Sequence, residues 1–211
     1  MSIQAVIFDL DGVLCSTDHY HYLAWSEIAR KLHIPFDARV NDRLRGVSRA
    51  ESLEIILEAY HGSPLSGAEK QALMEEKNNF YRQLLRKMTP EDQAEGASTV
   101  LTRLHEKGLK LAVGSSSKNA GFILEKIGLT SYFDGIADGN CITKSKPDPE
   151  VFLTAASMIA VPPEDCLVVE DALSGVEAGE RAGMKVAYLN ATAENIGSYC
   201  IRSLADLLKI L

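Results

Sequence analysis

Short apolar runs alternating with segments of helical period restrict the fold more than any other feature of this sequence. The runs at residues 5–8, 109–113, 135–137, 166–169 and 185–189 are too short to be buried helices. They also lack the polar residue at every second position that a half-exposed strand shows, so they read as strands covered on both faces. The segments 99–106, 120–127, 149–159 and 172–182 carry apolar residues at helical spacing and lead into strand-like runs. This alternation predicts an α/β doubly wound parallel sheet of Rossmann-like type. Between the first and second strands no strand-like run occurs, and residues 19–31, 49–60 and 68–88 have helical pattern instead. The expected organisation is therefore a core domain, 1–14 and 94–211, interrupted by an inserted helical cap domain, 15–93.

Charge and cysteine usage narrow the function classes. With a formal net charge of -7, the chain is a poor candidate for nucleic-acid binding, which needs clustered Lys and Arg on one face. A small anionic ligand needs only a few local cations and stays open. The first ten residues hold a core-like apolar run without a basic flank or cleavage site, and no apolar stretch reaches membrane-spanning length, so a cytoplasmic protein without membrane association is expected. Cys15, Cys141, Cys166 and Cys200 are scattered with no metal-ligand spacing, which reads as reduced thiols.

Four features carry chemistry. The first strand ends in Phe8-Asp9-Leu10-Asp11-Gly12, placing Asp9 and Asp11 at the carboxyl edge of a parallel sheet, where α/β folds build their sites. Two acids so close repel, and a hard cation such as Mg²⁺ would relieve them; solvated turn acids are the alternative. Glu170-Asp171 follows the fourth strand and would lie near the first pair, although helix N-terminal charge is the bland account. Ser115, in Gly114-Ser115-Ser116-Ser117-Lys118-Asn119, stands at a strand-to-helix turn whose backbone N–H groups can receive phosphate oxygens, against a plain Ser cap. Lys146 sits in a loop stiffened by Pro147 and Pro149, which presets its ammonium to neutralise phosphate charge; an idle surface lysine is the alternative.

In this order, Asp9/Asp11, Ser115, Lys146 and Glu170-Asp171 resemble the four motifs of the haloacid dehalogenase superfamily. Along nearly its whole length the chain is similar to the sugar-phosphate mutases of that superfamily, through Tyr20-His21-x-x-x-Trp25, Arg45-Gly46-Val47-Ser48-Arg49-x-x-Ser52-Leu53, Lys77-Asn78 and Ser117-Lys118-Asn119. The resemblance implies that Asp9 is a nucleophile that becomes an aspartyl phosphate, and that Asp11 is general acid and base. It implies a Mg²⁺ site formed by Asp9, Asp11 through its backbone carbonyl, Asp171 and neighbouring Glu170, and a phosphoryl site formed by Ser115 and Lys146. Arg49, Ser117, Lys118 and Asn119 would grip a second, non-reacting phosphate, for which a planar guanidinium is suited. His21, Trp25, Gly46, Val47, Ser48, Ser52 and Lys77 would complete substrate binding, with Thr17 at the hinge.

The activity so implied is isomerisation of β-glucose 1-phosphate to glucose 6-phosphate through the aspartyl phosphate and β-glucose 1,6-bisphosphate, the latter also serving as activating donor. A Mg²⁺-dependent phosphatase acting on small sugar phosphates is the rival among enzymes, and a non-catalytic sugar-phosphate sensor the rival of another class. The expected partner is a small sugar phosphate, bound by a monomer.

Overall fold

The computed structural model describes residues 2–44, 47–190 and 196–211. Strand β1, Ala5–Phe8, is buried throughout. The chain continues through helices α1 (Asp18–Lys31), α2 (Ala38–Asp42), α3 (Arg49–Leu57), α4 (Gly67–Leu85) and α5 (Ala97–Glu106) to strand β2 (Lys110–Gly114). Then follow α6 (Ala120–Lys126), β3 (Gly135–Ala137), α7 (Glu150–Met158), β4 (Cys166–Glu170), α8 (Leu173–Arg181), β5 (Lys185–Leu189), β6 (Tyr199–Ile201) and α9 (Leu207–Ile210). Contacts divide the chain into a larger unit, Met1–Ser16 with Met88–Leu211, and a smaller one, Thr17–Lys87.

The larger unit is built on a parallel six-stranded sheet in the order β3-β2-β1-β4-β5-β6. Successive side chains of a strand point to opposite faces, so Ala5 and Ile7 share one face of β1 while Val6 and Phe8 share the other. On the first face, Val151, Phe152, Ala155 and Ile159 from the α7 segment and Val176 and Ala178 from α8 pack with Ala5, Ile7, Ala112, Val168 and Val186. Burying each larger aliphatic or aromatic side chain stabilises the fold by about 1.5–3 kcal/mol. Because Val6 and Phe8 are also fully buried, both faces are covered, as uninterrupted apolar strands require.

Register converts this packing into a site. Phe8 pairs with Val113 on one side and Val169 on the other, so the next residues of the three strands, Asp9, Gly114 and Glu170, emerge together. The Asp9 amide donates to the Val169 carbonyl at 2.9 Å and extends the pairing to the first acid of the Asp9/Asp11 pair. The chain moves outward from β1 first through β2 and β3, then through β4, β5 and β6. The strand order therefore reverses at β1, where doubly wound sheets open a crevice.

The strands run slightly farther than apolar runs suggest. Gly114 still pairs with Ala137, and Glu170 still pairs with Tyr188, so the first acid of the Glu170-Asp171 pair is a strand residue. The sixth strand, β6, has only Ile201 buried among its three residues, too little for periodicity to reveal. Helix α2 buries none of its five residues and starts where the Asp37 side chain accepts the Val40 N–H.

The smaller unit has its own core of Trp25, Ile28, Ala29, Ile34, Leu53, Ile56 and Leu73. Capping boxes start α3 (Ser48 with Glu51) and α4 (Ser66 with Glu69), and α4 ends at Leu85 rather than residue 88. The segments flanking this unit meet within the larger one: Cys15 bridges both Asp11 and Gln93, and the Ala94 amide donates to the Leu14 carbonyl at 2.7 Å. Among the described residues no helix is long and apolar enough to cross a membrane.

Candidate active site

Three carboxylates converge at the carboxyl end of the sheet. Ligand oxygens of Asp9, Glu170 and Asp171 all lie within 4.8 Å of one another. The Lys146 ammonium enters this group, donating to Asp9 Oδ1 at 2.5 Å and to Glu170 Oε1 at 2.6 Å. Its underside rests on the Phe152 ring, 4.6 Å from the centroid, so α7 supplies the floor beneath the lysine. The Ala172 amide donates to the other Glu170 oxygen at 2.8 Å and fixes that carboxylate's orientation.

Two glycines make the convergence sterically feasible. Gly12 has φ +89°, and a Cβ there would stand 2.0 Å from Asp171 Oδ2. At Gly175, in the first turn of α8, a Cβ would stand 1.8 Å from Glu170 Oε1. Any side chain at either position would displace a carboxylate of the cluster. Neither glycine belongs to the sequence-level site, because only the folded geometry shows what lies opposite the missing Cβ.

The electrostatics state what this cluster lacks. Three carboxylates and one ammonium leave a formal charge of minus two in a largely buried space. Asp9 is pushed up to about 7, chiefly by burial and also by Glu170 and Asp171, against the lowering effect of Lys146. Asp171 is likewise pushed up to about 7 by burial, Glu170 and Asp11. Burial works to lower Lys146, but Asp9 and Glu170 outweigh it and hold the ammonium charged. A hard divalent cation with oxygen ligands supplies the missing charge, and this donor set fits Mg²⁺. The Asp11 carboxylate is not among the three clustered groups. Asp11 is partly exposed two residues beyond Asp9, and its backbone bridges Cys15.

The serine turn follows β2 as expected. Ser115 is 3% exposed, and its Oγ accepts the Ser117 N–H at 3.2 Å, which leaves its own hydrogen to donate. Ser117 Oγ accepts the Asn119 N–H at 3.2 Å, and the Lys118 carbonyl accepts from the Asn140 side chain at 3.1 Å. The Lys118 side chain is exposed and Asn119 is buried.

The smaller unit gathers a second set of the candidate residues. His21 and Trp25 lie one turn apart on α1, facing α4. Lys77, 2% exposed on α4, donates to His21 Nδ1 at 2.8 Å and stands 5.0 Å from the Trp25 ring centroid and 4.5 Å from that of Tyr81. Its neighbours Glu75 and Glu76 are exposed, so the burial follows from helical phase rather than composition. Arg49 Nη2 donates to Asn78 Oδ1 at 2.9 Å, while Ser48 caps α3, Ser52 is buried and Val47 is exposed. Thr17, the first residue of this unit, is buried and accepts the Tyr81 hydroxyl hydrogen at 3.0 Å. Arg45 and Gly46 lie outside the described residues.

The Lys77 contact fixes the tautomer of His21, whose Nδ1 accepts and whose Nε2 therefore carries the proton. Burial first, then Lys77 and Arg49, lower the His21 pKa well below its usual 6.5. Below pH 6.5 the unfolded chain takes up a proton that the folded one refuses, so stability is retained above 6.5 and lost as pH falls. Relative to His21→Gln, whose amide oxygen still accepts from Lys77, the parent protein is expected to lose about 1 kcal/mol between pH 7.5 and 5.5. Urea unfolding followed by fluorescence of Trp25, the sole tryptophan, measures that difference.

Comparison with known proteins matches this geometry to a family. Residues 3–183 match the haloacid dehalogenase-like hydrolase family model. The chain is 47% identical to the β-phosphoglucomutase of Bacillus subtilis, over 86% of its own length and 81% of that protein. It is 32% identical to a phosphorylated carbohydrates phosphatase of Thermotoga maritima, over 88% and 84% of the two chains. The crystal structure of β-phosphoglucomutase from Clostridium difficile superposes with a TM-score of 0.82 at 39% identity, covering 89% of this chain and 85% of that one. With the sheet, the acidic strand ends and this match in agreement, the chain belongs to the haloacid dehalogenase-like hydrolase family.

Proposed function

We propose that the chain has β-phosphoglucomutase activity, interconverting β-glucose 1-phosphate and glucose 6-phosphate. The observation that carries this reading is the 47% identity to the Bacillus subtilis enzyme of that name over most of both chains. The site chemistry supports it: a buried nucleophilic carboxylate, Asp9, lies against a fixed ammonium at Lys146. Arg49 and Lys77 supply further cationic groups in the smaller unit, beyond what hydrolysis of one phosphate requires.

In the first half-reaction the sugar 6-oxygen attacks the phosphorus of phospho-Asp9. The new O6–P bond forms, the Asp9–P bond breaks, and Asp11 takes the hydroxyl proton. β-Glucose 1,6-bisphosphate results. In the second half-reaction the Asp9 carboxylate attacks the 1-phosphate, the P–O1 bond breaks, and Asp11 returns its proton to O1 as glucose 6-phosphate leaves. Lys146 and the Ser115 hydroxyl hold the transferring oxygens, and Lys146 favours the ionised, nucleophilic form of Asp9. Asp9, Glu170 and Asp171, with the Asp11 carbonyl, would hold Mg²⁺, which supplies electrostatic stabilisation of phosphoryl charge. Free β-glucose 1,6-bisphosphate primes the cycle by phosphorylating Asp9. The protein acts on this small substrate as a monomer, a reading supported by its net charge of -7, and in the cytoplasm, as a soluble sugar-phosphate enzyme would.

A phosphatase reading is favoured by the 32% identical Thermotoga maritima relative, since water can replace the sugar hydroxyl against the same phospho-Asp9. Incubation with β-glucose 1-phosphate, Mg²⁺ and a trace of the bisphosphate, following glucose 6-phosphate and inorganic phosphate together, separates the two. Glucose 6-phosphate without matching phosphate release supports the mutase. Phosphate release in its place, or equal use of the α anomer, overturns it.

A further inference from the structure

Lys146 reaches the carboxylate cluster from an otherwise solvent-facing loop, so something must hold the loop at the correct height. The candidate is Glu150, the first residue of α7. Its Oε2 accepts the backbone N–H groups of Thr143 at 3.0 Å and Lys144 at 2.8 Å, and the Thr143 hydroxyl donates to the same carboxylate at 3.0 Å. The loop closes on itself nearby, with the Asp148 N–H donating to the Ser145 carbonyl at 3.1 Å and the Glu150 N–H donating to Asp148 Oδ1 at 3.1 Å. Glu150 therefore clamps the segment before Lys146 to the helix that begins after it. Two residues farther along the same helix, Phe152 is the floor under the Lys146 ammonium. The backbone donors hold the Glu150 carboxyl below its ordinary range, as charge-assisted acceptors are held.

We propose that Glu150 is a positioning residue for phosphoryl transfer: it touches neither substrate nor metal ligands but fixes the loop so that Lys146 lies between Asp9 and Glu170. This inference rests on the phosphoryl-transfer reading above. A simple favourable charge at the start of α7 would need the negative charge, whereas a clamp needs an acceptor of the right length. Glu150→Gln keeps the acceptor and removes the charge; Glu150→Ala removes both.

The test combines turnover with a measurement that does not depend on activity. In Glu150→Ala, kcat is expected to fall about 30-fold with KM changed less than about threefold, since misplacing one catalytic group by about an ångström has effects of this size. Glu150→Gln is expected to keep kcat within about threefold of the parent. On a Lys146→Ala background, Glu150→Ala should cost nothing further, because its effect passes through the missing ammonium. Independently, Lys146, whose side chain is 8% exposed, should be slow to undergo reductive methylation in the parent and Gln proteins and fast in the Ala protein, read by mass spectrometry. Losses that multiply in the double variant, a Gln variant as impaired as Ala, or unchanged labelling in the Ala variant would each overturn the proposal. If the parent shows no phosphoryl transfer, the functional reading fails while the labelling still decides whether Glu150 positions Lys146.

Discussion

Asp9→Asn is expected to reduce mutase turnover by on the order of 10⁴-fold while making the metal-free protein more stable. The amide oxygen can still accept from Lys146, but it is a poor nucleophile and cannot carry a phosphoryl group through the cycle. The stability gain arises because ionised Asp9 is costly here: burial, Glu170 and Asp171 raise its pKa to about 7 against an ordinary 3.8. An acid whose folded pKa is raised destabilises the fold above its unfolded pKa, so the gain should be full above pH 7 and vanish towards pH 4. At about 1.4 kcal/mol per pKa unit, the gain at pH 7.5 is at most about 4 kcal/mol. Thermal unfolding in EDTA checks the sign, and saturating Mg²⁺ should reverse the order by stabilising the parent more than the variant. A metal-free Asp9→Asn protein no more stable than the parent would show that Lys146 already compensates the cluster.

Lys146→Met is the second large effect, and it separates charge compensation from chemistry. Among the described residues the ammonium is the one cation placed between Asp9 and Glu170, so removing it leaves buried carboxylates facing one another. Breaking a buried pair from one side typically costs about 3–5 kcal/mol, and a loss near the lower end is expected in EDTA because the protonation of Asp9 and Asp171 relieves part of it. Millimolar Mg²⁺ should recover much of that stability through the remaining carboxylates. Turnover should stay down by about 10³-fold even with metal, because a phosphoryl oxygen has lost its fixed counter-charge. Full recovery of turnover by metal would assign Lys146 a purely structural role.

The parts of this molecule legible in its sequence are those where one physical cause acts locally. The runs at residues 5–8 and 166–169 are apolar enough to be buried on both faces, which places the acids that follow them at one sheet edge. Lys146 stands out in the sequence because Pro147 and Pro149 stiffen its loop. Tertiary causes were silent. Gly175 reads as an ordinary helical residue until Glu170 Oε1 is found where its Cβ would be. Glu150 reads as a favourable first-turn charge until its carboxylate is seen accepting backbone donors six and seven residues upstream. Lys77 follows two exposed glutamates, and the sequence around it describes a solvated face; the family resemblance alone singles it out, and its contact with His21 shows only in the fold. Strand β6 has too few residues for any period, and pairing with β5 alone defines it.

The meeting of Leu14 and Cys15 with Gln93 and Ala94 has a consequence for how such a chain can change over generations. Everything between those residues hangs from a joint that the sheet domain has already fastened. Lengthening or replacing the hanging segment adds little closure entropy, about 0.6 kcal/mol for each doubling of its length. Neither β1 nor β2 need shift to accommodate a new one. Inheritance can therefore try different helical modules at this joint while the acidic strand ends remain as they are, leaving the bond-breaking half of the protein out of the experiment.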